Sequence, residues 1–201
     1  MNPGSHWNRR DFLRFTGLAL GAAGTVGFAA CGGEDRRAAA GEPDPRATPQ
    51  RDRAILNGAL TLENTAVAAY AMGLPLLRGE ARRTAERFLA QEREHAAALT
   101  RLVRDLGGEP NRPKPPAEYR AAFPRLPDQA AFLRFATDLE NVSISAYSEG
   151  VPKLKSSRLR LTTSSIFCDE AQHRAVLLGA THGDDPRAAV PEAFVTGKVR
   201  A

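Results

Sequence analysis

Residues 62–76 read LENTAVAAYAMGLPL, and residues 139–154 read LENVSISAYSEGVPKL. Leu62-Glu63-Asn64 matches Leu139-Glu140-Asn141, Tyr70 matches Tyr147, Gly73 matches Gly150 and Pro75 matches Pro152, all at an offset of 77 residues. Further on, Glu92-Arg93-Glu94-His95 answers Glu170-Ala171-Gln172-His173 at an offset of 78. Each half thus places one glutamate on an apolar segment and a Glu-x-x-His on the next. A repeat at fixed offset signals duplicated supersecondary units that bury their apolar faces against each other. With two copies of a two-segment unit, the expected result is a closed four-helix bundle rather than a solenoid.

Hydrophobic spacing sets out the helices. A first helix is expected from Thr48-Pro49, with proline in the first turn, to Pro75. Leu56, Ala59, Leu60, Ala66, Val67 and Tyr70 surround Glu63 at helical spacing, which turns this acid into the core. The second helix, from about Gly79 to Leu106, aligns Ala85, Phe88, Leu89, Glu92, His95, Leu99 and Val103, with arginines opposite and Gly107-Gly108 as a stop. Residues 109–127 hold six prolines and little periodicity. This is the long crossover that a bundle of two helix pairs needs between its second and third helices. The third helix, from Pro127-Asp128, sets Phe132, Leu133, Ala136, Ile144, Tyr147 and Val151 on the face of Glu140. The fourth, about Ser156 to Gly179, aligns Leu159, Ile166, Phe167, Glu170, His173 and Leu177. The bundle spans 49–182, and residues 183–201 form a tail without an assigned role.

Four glutamates and two histidines therefore lie on apolar stripes, with no lysine or arginine at their level. Buried carboxylates are costly unless paired or bound to metal. Two divalent cations would cancel the four negative charges. Residues three apart on a helix sit side by side, so a Glu-x-x-His offers an oxygen and a nitrogen together. With 13 Glu and 4 His in the chain, chance alone gives roughly 0.26 such pairs, against the two found at matching places in the repeat. Glu94 lies off the stripe as a solvated neighbour. Tyr70 and Tyr147, two turns beyond Glu63 and Glu140, are either core tyrosines with satisfied hydroxyls, donors to the ligating carboxylates, or carriers of a transient radical. Cys168 faces away from the acids and is expected as a buried, inert thiol.

These six residues resemble the ligand set of the ferritin-like di-iron carboxylate superfamily, over roughly residues 50–180. The resemblance implies an all-α ferritin-like four-helix bundle. It makes Glu63 and Glu140 terminal ligands, Glu92 and Glu170 bridges, and His95 and His173 the caps of one metal each. Oxygen and imidazole ligands suit two Fe ions, or alternatively two Mn ions. The implied partners are metal ions with O2 or H2O2, and the implied activity is Fe2+ oxidation, ferroxidase-like or peroxide-protective. A di-manganese catalase and a non-catalytic ferritin-like envelope protein are the alternatives. A rubrerythrin-like relay is disfavoured, because the four-cysteine rubredoxin module is absent. A mineral cage is disfavoured by the tether described next, although a homodimer is compatible with it.

Asn8-Arg9-Arg10-Asp11-Phe12-Leu13 resembles a twin-arginine export signal, followed by sixteen weakly apolar residues, Phe15 to Ala30, with four glycines among them. That run is short for a membrane span. Phe28-Ala29-Ala30-Cys31 resembles a lipobox, which implies a signal peptide at 1–30, acylation of Cys31 and anchorage to the outer face of the bacterial cell membrane; the alternative is ordinary cleavage after the small residues, without a lipid. Residues 31–48, rich in Gly, Ala, Pro and charge, read as a flexible tether. Without residues 1–30 the chain holds 25 basic and 22 acidic residues, and no basic run is interleaved with aromatics, so nucleic acid is not an expected partner.

Overall fold

The computed structural model describes residues 47–183 and 185–190. The expected signal, Cys31, the tether up to residue 46 and residues 191–201 lie outside the described residues. Four long helices form the body: α1 (Ala47–Gly73), α2 (Gly79–Asp105), α4 (Gln129–Gly150) and α5 (Ser157–His182). Two short ones, α3 (Pro116–Ala122) and α6 (Pro186–Ala189), follow α2 and α5. No strand occurs among the described residues, so the molecule is the expected all-α bundle. The last two residues of the expected tether are already helical.

The helix ends follow from local chemistry. The repeated prolines, Pro75 and Pro152, sit in 3-10 turns at Leu74–Leu76 and Val151–Lys153, where they stop α1 and α4. Gly107 takes φ +70°, and the N–H groups of Gly107 and Gly108 donate to the carbonyls of Arg104 (2.8 Å) and Val103 (2.9 Å) at the end of α2. Asp128 caps α4 by accepting from the Ala131 N–H at 2.8 Å.

The repeat becomes a pseudo-twofold. Helices α1 and α4 run antiparallel, and each brings its glycine against the other's bulky residue. A Cβ on Gly73 would lie 2.0 Å from the Phe132 ring, and one on Gly150 would lie 3.2 Å from Ile55 Cγ2. Ile55 and Phe132 are themselves 77 residues apart. The two repeated glycines exist for space between helices, since Gly73 has ordinary helical φ and ψ.

Because α2 and α4 point the same way, the chain between them must travel the length of the bundle. Side chains of α1 hold it down. Asn57 Nδ2 donates to the Glu109 carbonyl (3.0 Å), and Asn57 Oδ1 accepts from the Asn111 N–H (2.8 Å). Asn111 Nδ2 also donates to Thr61 Oγ1 (3.0 Å). The crossover departs from expectation in containing α3. Pro116 costs nothing in its first turn, and Tyr119 and Phe123, one turn apart, bury their rings against Phe135 and its neighbours.

Two apolar clusters fill the ends of the bundle. One includes Leu62, Tyr70, Phe88, Phe132 and Leu177; the other includes Leu56, Leu99, Tyr147, Leu159 and Ile166. The polar centre lies between them. Cys168 corrects an expectation, because it is exposed rather than buried. It faces away from the acids, and on α5 that direction is solvent, the outward stripe of Leu161, Ser165, Gln172 and Val176. Helix α5 also runs three residues past the expected end. No helix among the described residues is long and apolar enough to cross a membrane.

Candidate metal centre

Each long helix contributes at its midpoint. One ligand atom from each of Glu63, Glu92, His95 and Glu170 lies within 4.8 Å of the others, and the same holds for Glu92, Glu140, Glu170 and His173. All six residues singled out in the sequence are thus brought together, with Glu92 and Glu170 common to both groups. The four glutamates are at most 1% exposed. His95 Nδ1 lies 3.4 Å from Glu63 Oε2 and 3.3 Å from Glu170 Oε1. His173 Nδ1 lies 3.1 Å from Glu92 Oε1 and 3.6 Å from Glu140 Oε1.

The tyrosines act across the pseudo-twofold. Tyr70 of the first half donates to Glu140 Oε1, and Tyr147 of the second donates to Glu63 Oε1. Burial raises both phenols well above their usual range, and the charge on Glu140 or Glu63 adds to this, so both remain protonated donors. Each single glutamate therefore has one oxygen occupied by a tyrosine and one free. Glu92 and Glu170 have both free.

The fit to metal can be judged from what is left unpaired. Glu63 Oε2, Glu140 Oε2, both oxygens of Glu92 and of Glu170, and Nδ1 of both histidines are buried without a hydrogen bond. Unsatisfied buried polar atoms are rare in folded proteins and call for a partner beyond the chain's own groups. Eight in one cluster, all oxygen or imidazole nitrogen and divided into two groups with shared carboxylates, fit a pair of divalent cations. Without cations, protons must do the balancing. Burial pushes Glu63 up to about 8, helped by the Glu92 charge. Burial also drives Glu170 well above the carboxylate range, with Glu92, Glu140 and Glu63 repelling its charge. Glu92 feels the same burial, but the nearby His173, His95 and Glu63 outweigh it and hold it at about 2. Burial works against charge on the histidines too, yet Glu63 and Glu92 hold His95 at about 10, and Glu140 and Glu92 hold His173 at about 10.

Two residues escaped the sequence reading. Asp169 Oδ2 lies 3.2 Å from His95 Nε2, and Gln91 Oε1 lies 3.2 Å from His173 Nε2. Each fixes the far nitrogen of the other helix's imidazole and leaves Nδ1 turned to the centre. The signal for them was available, since Gln91 and Asp169 occupy the same place in the repeat, directly before the glutamate of each Glu-x-x-His.

No curated protein matches the chain. Among solved structures, it is similar to the ferritin-like, diiron-carboxylate proteins from Bacillus anthracis str. Ames. The TM-score is 0.55 at 21% identity, over 67% of this chain and 98% of that one, a likeness of fold. The family model for the ferritin-like domain matches residues 51–182, the span from the first turns of α1 to the end of α5 that carries all six converging side chains. On the strength of that match, the chain belongs to the ferritin-like domain family.

Proposed function

We propose that the protein is an exported di-metal protein that oxidises Fe2+ with O2 or H2O2 at a di-iron carboxylate centre. The observation that carries this reading is the set of buried, unpaired oxygen and nitrogen atoms, divided into two groups that share Glu92 and Glu170. Glu92 and Glu170, with both oxygens free, would bridge the pair; Glu63 and Glu140 would each bind at one end through Oε2. His95 and His173 would complete the two ends through Nδ1. Iron ions at this site would supply the electrons that reduce O2 or H2O2.

The chain's own contribution is to hold and shield. Tyr70 and Tyr147 fix the end carboxylates by hydrogen bonds and restrict their rotation. Gln91 and Asp169 orient the imidazoles. The apolar clusters at either end keep bulk water from the centre, which strengthens every charge interaction there. Six protein side chains shared by two cations would leave room for a small oxidant.

Metal analysis of the purified protein, followed by O2 and H2O2 consumption with added Fe2+, tests the proposal. Two iron ions per chain with rapid Fe2+ oxidation is the expected result. Manganese with release of O2 from peroxide would replace it with a catalase reading. Zinc, or no metal, would leave a non-catalytic envelope protein.

A further inference from the structure

The repeat makes the two halves alike in all six converging residues but not in what stands behind them. The partner nearest His95 Nε2 is the Asp169 carboxylate at 3.2 Å. The partner nearest His173 Nε2 is the neutral amide of Gln91 at 3.2 Å, with Asp169 farther off at 3.6 Å. A second difference runs the same way. Phe88 stacks on the His173 ring at 3.9 Å between centroids, while the matching place in the other half holds Ile166. His173 is accordingly 1% exposed and His95 12%, beside an Asp169 that is 23% exposed.

We propose that the two metal positions are inequivalent, that the one built on Glu63 and His95 is the tighter and fills first, and that Asp169 is the positioning residue responsible. The inference rests on the di-metal reading. A carboxylate behind an imidazole makes its other nitrogen a stronger donor than an amide does. It also adds a negative charge close to an incoming cation. Its partial exposure places that charge where a cation arriving from solvent meets it, whereas Phe88 closes the His173 end. Gln172 Nε2 lies 3.4 Å from Asp169 Oδ1 and steadies the carboxylate without neutralising it.

The test is titration of the full chain, stripped of metal, with Mn2+, followed by calorimetry and by electron paramagnetic resonance. The first step should be at least about tenfold tighter than the second, with a mononuclear Mn2+ spectrum at one equivalent and spin coupling only beyond it. Asp169→Asn should weaken the first step by about 10- to 100-fold while changing the second by less than about threefold. Gln91→Glu, which sets a carboxylate behind His173, should tighten the second step and leave the first. His173→Ala should keep the tighter step and His95→Ala should lose it. Two positions of equal affinity in the wild type, or equal weakening of both steps by Asp169→Asn, would overturn this inference and leave the di-metal reading standing. Absence of stoichiometric Mn2+ binding would overturn both.

Discussion

Glu170 is fully buried, has both oxygens unpaired and faces three other acids, so it is a cost to the metal-free protein. Its acid range is raised above the unfolded value of 4.5. A raised group contributes stability that is present below the unfolded value and is lost as pH climbs toward the folded one. Glu63, raised from 4.5 to about 8, and the two histidines, raised from 6.5 to about 10, act in the same direction. Glu92, lowered to about 2, opposes them only below 4.5. Metal-free stability should therefore fall as pH rises from about 5 to about 9, while the gain from added Mn2+ grows as cations displace those protons. Thermal unfolding with and without metal checks this, and a metal-free midpoint that rises over that range would contradict it. Glu170→Gln removes the cost and the bridge together. At about pH 8 it should match or exceed the wild type in metal-free stability while holding at most one metal per chain. The acids and histidines were legible in the sequence because their chemistry conflicts with the apolar stripes around them. Gln91 and Asp169 were marked only by their shared place in the repeat, because a polar residue beside a ligand on a helix usually meets solvent, and only the packing of α2 against α5 turns these two onto imidazoles.

At the level of elements, the bundle rests on how closely α1 and α4 approach. Gly73→Ala would push a methyl into the Phe132 ring, which is buried and pinned edge-on by Tyr70. The ring or the backbone must shift to make room, so a loss of about 1–3 kcal/mol is expected, despite the better helix propensity of alanine. Gly150→Ala meets only the γ2 methyl of Ile55 at 3.2 Å. There the propensity gain of about 0.5–1 kcal/mol offsets the contact, and the change should lie near zero. Denaturant unfolding of the two variants would show the contrast, and equal losses would contradict it. The four long helices were readable because their apolar spacing persists over many turns and breaks at proline or glycine. Helix α3 was not, because its seven residues among prolines offer one large apolar side chain, Tyr119, with Phe123 just past the end. Cys168 misled for a related reason: spacing says which way a residue faces along its helix but not whether a neighbour covers that direction.

For the molecule as a whole, the centre lies between two apolar ends, and its partly exposed side is that of His95 and Asp169. A protein that takes up its metal in the cytoplasm must be exported with the bundle already closed around it. An export route that carries folded proteins suits that requirement, and it is the route implied by the resemblance of Asn8-Arg9-Arg10-Asp11-Phe12-Leu13 to a twin-arginine signal. If the address and the lipobox-like cysteine act in sequence, they separate genetically. Replacing both Arg9 and Arg10 by lysine should leave the precursor in the cytoplasm, already folded and able to bind metal. Cys31→Ser should still be exported but shift from the membrane to the soluble extracytoplasmic fraction, because a single serine cannot take the thioether-linked lipid. Fractionation of a bacterial host expressing the full chain, probed for the bundle, reads both outcomes. Unchanged membrane association of Cys31→Ser would sink the anchor, and unchanged export of the double lysine variant would sink the route, while neither would touch the metal centre.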